Sequence, residues 1–337
     1  MSQDQVGLRG GVMTKNQFWI LVLMTGLCTT VGCNKQQYGL PDQTQDFAQT
    51  VTYNNKVDVV MMVDNSSSMS QYQNKLANEI PGMIVALDQL GMDYRIVVIT
   101  TDMRTGGNGG QFVGSPKVLS ANTPSLASTL SARIKQGSGG SDLERGLESL
   151  KTVLSPTYLN GLGAGFLRED ALLAVLALSN EDDYSSGSVA SYVDFFDTLK
   201  PKFKGTTQAW LVNFINIPSL SSSCSTALDG VYKEPGLRWI ELANQSGGRV
   251  EAVCDSTLSQ AVSNVRQRIV EILTDFHLDR EPNVATIVVK INGAVVPRST
   301  DNGWEYVSDG QFIRFHGSFV PTATDRIAVD YSPAGAT

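Results

Sequence analysis

Residues 57–63 are apolar at every position except Asp58, without the polar alternation of a strand that has one face in water. Such a run predicts a strand covered on both sides. Three more segments have the same character: 94–101 (YRIVVITT), 171–179 (ALLAVLALS) and 209–215 (AWLVNFI). Between the first two, Leu76, Ile80, Ile84, Leu87 and Leu90 recur every three or four positions and mark one face of an amphipathic helix. Pro81 falls inside that pattern, which predicts a kink or a helix whose longer half begins there. Helical spacing returns at roughly 124–134, 142–154, 188–200, 236–246 and 257–273. Buried strands alternating with helices predict an α/β fold with a doubly wound, mostly parallel sheet, whose ligands sit where loops leave the carboxyl ends of the strands.

The pattern changes after about residue 275. Ile287, Val289 and Ile291 alternate with Val288 and Lys290, Asn292-Gly293 is a hairpin turn signal, and short strands are predicted at 304–306, 312–315 and 327–331. Residues 276–337 thus read as a small all-β, sandwich-like module following a main domain at 55–275. With about 60 residues its core is limited, so it is expected to pack against the first domain or a partner.

The first 54 residues have neither periodicity. After Lys15 comes an apolar run at 18–24, too short to span a bilayer, and then small and hydroxylated residues ending Thr-Thr-Val-Gly-Cys. Met13 opens an equally good signal. Val31-Gly32-Cys33 resembles the lipobox of bacterial lipoproteins, with Thr30 where Leu is usual. The resemblance implies a signal peptide at 1–32 and acylation of Cys33, and Asn34 implies sorting to the outer membrane, facing either the periplasm or the outside. An ordinary secretory signal is the alternative, and either way the mature chain leaves the cytoplasm. Several acyl chains on one residue anchor a protein stably where one would not. The polar, Gln-rich stretch 34–54 reads as a flexible spacer.

Composition narrows the function classes. The chain has 337 residues, 42% hydrophobic and 18% charged, with a formal charge of -7. Without residues 1–32 the balance is 24 basic against 32 acidic residues. An acidic chain with no Lys/Arg run lacks the electrostatic basis for binding nucleic acid. Only His277 and His316 are present, both beyond the main domain, so a His-rich zinc site or a Ser/Cys-His catalytic pair is hard to assemble. Cys28 lies in the signal and Cys33 at the lipidation position, which leaves Cys224 and Cys254 for each other, most simply as a disulfide outside the cytoplasm. The Gly-rich 106–110 stretch (GGNGG) lacks a following Lys-Ser/Thr and reads as a mobile loop near the strand ends, and Trp239 and Trp304 read as core residues.

The candidate chemistry stands where the first strand runs out. Asp64, Ser66 and Ser68 form Asp-x-Ser-x-Ser, one carboxylate and two hydroxyls on alternate residues of a tight loop, which suits a hard dication that wants about six oxygens. Two later loops could complete the set: Gly139-Gly140-Ser141-Asp142 and Ser179-Asn180-Glu181-Asp182-Asp183. Over roughly 55–275 the chain resembles the von Willebrand A family, whose metal-ion-dependent adhesion site joins Asp-x-Ser-x-Ser to a Thr and an Asp from two later loops. A group of bacterial envelope proteins of that family is similar through Tyr94-Arg95-Ile96 leading to Thr100-Thr101-Asp102, and through the Ser-x-Glu-Asp-Asp loop. The resemblance puts Ser141 at the Thr position and Asn180 at the Asp position, where a neutral amide departs from the pattern, with Asp182 close enough in sequence to stand in. It implies Mg2+, or Mn2+ or Ca2+, held by Asp64, Ser66, Ser68, Ser141 and Asn180 or Asp182, gripping an Asp or Glu carboxylate of a partner protein. No enzymatic activity and no small-molecule substrate are implied. A degenerate, metal-free site in a structural or assembly subunit of the envelope is the alternative, and a metal-assisted hydrolase is a third reading that would need a general base beside the 180–183 loop.

Overall fold

The computed structural model describes residues 55–202, 209–219, 224, 234–322 and 324–335. Cys33, the signal, the spacer and most of the Ser-rich 219–225 loop lie outside the described residues. Six strands form the main sheet: β1 (Lys56–Val63), β2 (Asp93–Thr100), β3 (Leu119–Ser120), β4 (Leu172–Leu178), β5 (Trp210–Asn216) and β6 (Val250–Ala252). Their order is β3-β2-β1-β4-β5-β6, parallel throughout except for β3, which runs antiparallel to β2. Helices α1 (Ser70–Gln89), α2 (Leu126–Ile134), α3 (Gly146–Val153), α4 (Pro156–Leu159), α5 (Val189–Leu199), α6 (Leu237–Ser246) and α7 (Ser259–Leu273) cover it.

Side chains alternate across a strand, so each strand feeds two cores. Val57, Val59, Met61 and Val63 of β1 pack with Leu172, Ala174 and Leu176 of β4 against α1, α2 and α7. Val60 and Met62, with Leu173, Val175 and Ala177, face α3, α5 and α6, where Trp239 stacks on Phe214 at 5.1 Å between ring centroids. Burial on both faces is what leaves these strands no polar alternation.

Two local features have specific causes. Helix α1 runs through Pro81 as one element. Pro81 sits on the exposed face and cannot donate to the carbonyl of Ala77 one turn back; that carbonyl instead accepts from the Ser131 hydroxyl of α2 at 2.9 Å. Asp58, the one polar residue in β1, is fully buried and held by Arg168, whose backbone N–H and Nε donate to its two oxygens at 2.6 and 2.9 Å. Arg168 also donates to the carbonyls of Val57 and Asp93 and pairs with the Asp93 carboxylate.

Beyond α7 lie β7 (Phe276–His277), β8 (Val288–Ile291), β9 (Ala294–Val295), β10 (Gly303–Val307), β11 (Phe312–His316) and β12 (Ile327–Asp330). They form two antiparallel three-stranded sheets, β10-β11-β7 and β12-β8-β9. Asn292 and Gly293 both adopt positive φ at the two-residue β8-β9 turn. One apolar core, including Phe276, Val289, Trp304, Ile313, Phe315 and Val329, serves both sheets. Asp275 at the end of α7 takes a two-pronged ion pair from Arg314 of β11, at 2.9 and 2.8 Å. Both histidines serve this region: His277 Nδ1 is 2.9 Å from the Gly310 carbonyl and His316 Nε2 is 3.0 Å from Glu305. Cys224 and Cys254 are disulfide-bonded, with Cα atoms 5.1 Å apart. No described helix is long and apolar enough to cross a membrane.

Candidate functional site

The strand order reverses between β1 and β4, since β1 leads outward to β2 while β4 leads the other way to β5. A crevice at the carboxyl ends of such a pair is the usual ligand position in open α/β sheets. Asp64 follows β1 directly, and its N–H still donates to Leu178 at the end of β4, at 2.9 Å. Its side chain is therefore fixed at the switch point by the last rung of the sheet.

The carboxyl of Asp64 is fully buried. One oxygen accepts from the Ser66 backbone N–H at 2.8 Å and from the Thr101 hydroxyl at 3.5 Å, the other from the Ser179 hydroxyl at 2.8 Å. Burial pushes its pKa up to about 6; the bonds from Ser66 and Ser179 oppose the shift and nearby Glu181 adds to it. Gln73 of α1 braces the turn, donating to the Asp64 and Gly137 carbonyls at 2.8 Å each and accepting from the Gly137 N–H at 2.9 Å. The Ser66 hydroxyl is fully buried and has no hydrogen-bond partner. The Ser68 hydroxyl donates to the Asn180 side-chain oxygen at 3.1 Å, which brings the third residue of the motif against the loop after β4.

The 139–142 loop closes over the motif. The Gly140 N–H donates to the Asn65 carbonyl at 2.7 Å, and Ser67 donates through its N–H and hydroxyl to Asp142. A Cβ at Gly140 would stand 2.5 Å from the Asn65 side-chain oxygen, so only glycine permits this approach. Ser141 is buried, and its hydroxyl accepts from the Leu143 N–H at 3.1 Å. Asp102 is gripped by Arg104 at 2.7 and 2.8 Å, which holds its carboxyl below the usual range.

The loop after β4 separates its acids. The Asp182 carboxylate accepts from the Arg238 N–H at the start of α6, at 2.9 Å, and the buried Asp183 accepts from the Leu147 N–H at the start of α3, at 3.0 Å. Both anchor helix amino termini, where an acceptor and a negative charge are favourable. Asp182 is thus tied to α6, and Asn180 is the residue of this loop that meets Ser68. Glu181 is buried, and its charge raises the pKa of both Asp64 and Glu144.

Glu144, three positions after Ser141, was not among the residues picked from sequence. It is 1% exposed, and neither carboxyl oxygen has a hydrogen-bond partner. Burial above all, then the charges of Asp64 and Glu181, pushes its pKa up to about 8, against a smaller opposing influence of Ser66. Ser66 acts on both carboxyls and so lies beside both. Its burial comes from pairings distant in sequence: its carbonyl accepts from the Tyr184 N–H at 2.7 Å, and the next N–H, of Arg145, donates to the Thr101 carbonyl at 3.1 Å. No sequence signal marks it, because a Glu just before a helix is ordinarily a solvated charge on the helix dipole.

The Gly-rich 106–110 loop flanks the site as a packed element, contrary to the mobile loop its composition predicts. Asn108 accepts from the Thr100 hydroxyl at 2.6 Å and from Asn65 at 3.3 Å, and a Cβ at Gly107 would stand 2.4 Å from the Asp102 carbonyl. Its glycines serve close approach to the end of β2.

The donors gathered here are hard oxygens from carboxylates, hydroxyls and an amide, the set preferred by Mg2+, Mn2+ and Ca2+. Among the described residues no group of three or more His, Cys, Asp or Glu is arranged to hold a metal ion by itself, so hydroxyls would have to share the coordination. The buried, unpartnered oxygens of Ser66 and Glu144 fit such a role, because buried polar atoms without partners are costly and rare.

No family model matches the chain. No curated protein matches it either. Solved structures similar to it include proximal thread matrix protein 1 from the mussel byssus, 10% identical with a TM-score of 0.40, covering 67% of this chain and 50% of that one. Another is the pilus adhesin SpaC from Lactobacillus rhamnosus GG in its open conformation, 12% identical with a TM-score of 0.43, covering 82% of this chain and 38% of that one. This chain spans half or less of the length of these proteins.

Proposed function

We propose that this protein is an envelope-anchored adhesion or protein-binding lipoprotein that uses a divalent cation at the end of β1 to grip a carboxylate of a partner protein. The observation that carries the reading is the fully buried Ser66 hydroxyl, unpartnered beside the buried Asp64 carboxyl at the switch point of the sheet. Asp64, Ser66 and Ser68 would hold the cation, with Ser141 and Asn180 from the two loops that close on them, as the resemblance to the von Willebrand A family implies. Asp182 falls outside the proposed set because its carboxylate serves α6. When bound, Mg2+ or Mn2+ would supply positive charge and an exchangeable position that a partner's Asp or Glu can occupy. No general base is assigned, so the reading is recognition without turnover.

The rim of the site suits a protein partner. Leu143 and Tyr184 on the loops, and Leu237 at the start of α6, are exposed large side chains: Leu143 next to Glu144, Tyr184 bonded through its N–H to the Glu144 carbonyl, and Leu237 next to the Arg238 that meets Asp182. Exposed aromatic and aliphatic side chains are the kind that protein interfaces bury at their cores. Acylated Cys33 would anchor the chain to the outer membrane, with 34–54 as spacer. A metal-independent assembly subunit is the second reading, favoured by the Ser68–Asn180 hydrogen bond, in which two candidate ligands satisfy each other.

Water-proton relaxation with Mn2+ as probe tests the proposal. Bound Mn2+ with an open position should enhance relaxation, and a peptide bearing a glutamate side chain should reduce the enhancement by displacing water, whereas the same peptide with glutamine should not. An enhancement indifferent to the carboxylate, or no enhancement at all, refutes carboxylate capture through a cation.

A further inference from the structure

We propose that Glu144 is the second carboxylate of the cation site, supplying the negative charge that Asn180 does not. The inference rests on the reading of Asp64 and Ser66 as cation ligands and names a ligand outside the Asp-x-Ser-x-Ser pattern.

Glu144 is 1% exposed, and among the described residues neither carboxyl oxygen has a close hydrogen-bond partner or a cationic side chain beside it; the Ser66 hydroxyl is the side chain that faces it. A buried carboxylate is normally paired or hydrogen-bonded, and an orphan marks a missing ion or water. The nearby arginines are turned elsewhere: Arg104 to Asp102 and the Gly139 carbonyl, Arg145 to Glu148, and Arg238 to the carbonyls of Asp183, Ser185 and Gly187. What Glu144 does face is the Ser66 hydroxyl, also unpartnered, and the like charge of Asp64. Two acids and a hydroxyl converge without a counter-charge, and the backbone bonds of residues 144 and 145 to Tyr184 and Thr101 hold the acid in place from the loop after β4 and the end of β2. Asp64 and Glu144 would supply two negative charges to a dication, and Ser66 a hydroxyl ligand. Glu181 adds its like charge to both acids.

The test uses Mn2+ alone, the purified protein and two variants, read by the thermal unfolding midpoint with and without Mn2+ and by direct titration. Mn2+ should raise the parent's midpoint. Glu144→Gln should raise the metal-free midpoint, because one of two facing acids is gone, and should weaken Mn2+ binding by more than about 100-fold, beyond what supporting residues of metal sites cost. Glu144→Asp, which keeps the charge on a shorter arm, should bind Mn2+ more tightly than Glu144→Gln. A Glu144→Gln variant that binds within about 100-fold of the parent, or as well as Glu144→Asp, overturns the role of Glu144 as a ligand and leaves the Asp64 site standing, since loss of a supporting residue alone costs about 10- to 100-fold. A folded parent that shows no response to Mn2+ sinks both readings.

Discussion

Replacing Arg168 with alanine is expected to lower the unfolding free energy by about 3–5 kcal/mol, the usual cost of stranding a buried charge. Asp58 is the third residue of β1, fully buried between strands on either side. Burial alone raises its carboxyl pKa, and the bonds and charge of Arg168 are what pull it back. Without the guanidinium, Asp58 must stay charged and unpaired or take up a proton, and the carbonyls of Val57 and Asp93 lose a donor as well. Removing both partners together, as Asp58→Leu with Arg168→Leu, should cost less than Arg168→Ala alone. Denaturant unfolding measures both. A loss under about 1 kcal/mol for Arg168→Ala, the range of exposed ion pairs, would mean that the pair is a surface feature and not a strut of the sheet.

Loss of the Cys224–Cys254 bond is the second large effect. The two residues are 30 apart in sequence, and closing a loop of that length corresponds to about 3.6 kcal/mol in the chain-entropy view. Cys224 is buried in the core beneath α1 and α7, and Cys254 packs against the same cluster just after β6. The double variant Cys224→Ser with Cys254→Ser should therefore unfold at markedly lower denaturant than the parent, and reductant should bring the parent down toward the variant. Equal midpoints for parent and variant under oxidising conditions would contradict a stabilising cross-link.

The sheet was legible because its central strands are buried on both faces, so β1, β2, β4 and β5 appear as apolar runs within one or two residues of their observed ends. β3 and β6, at two and three residues, are too short to carry any period, and they exist because neighbouring strand edges receive them. Pro81 reads as a break because sequence cannot foresee Ser131, across the α1–α2 contact, taking over the freed carbonyl. At the site, Asp64, Ser66 and Ser68 were legible as neighbours on one turn at a strand end. Their surroundings were not. Asp182 and Asp183 are consecutive acids whose directions are set by where α6 and α3 begin, and the backbone at Glu144 is held by two segments distant in sequence.

The most direct test of the cation site is a calorimetric titration of Mg2+ and Mn2+ into the protein, beside the Asp64→Ala variant. Saturable one-site binding to the parent, lost by more than about 100-fold in the variant while its fold persists, is the expected result, because Asp64 would be a direct ligand. Binding of equal strength to parent and variant, or none to a folded parent, would contradict a divalent cation at the end of β1.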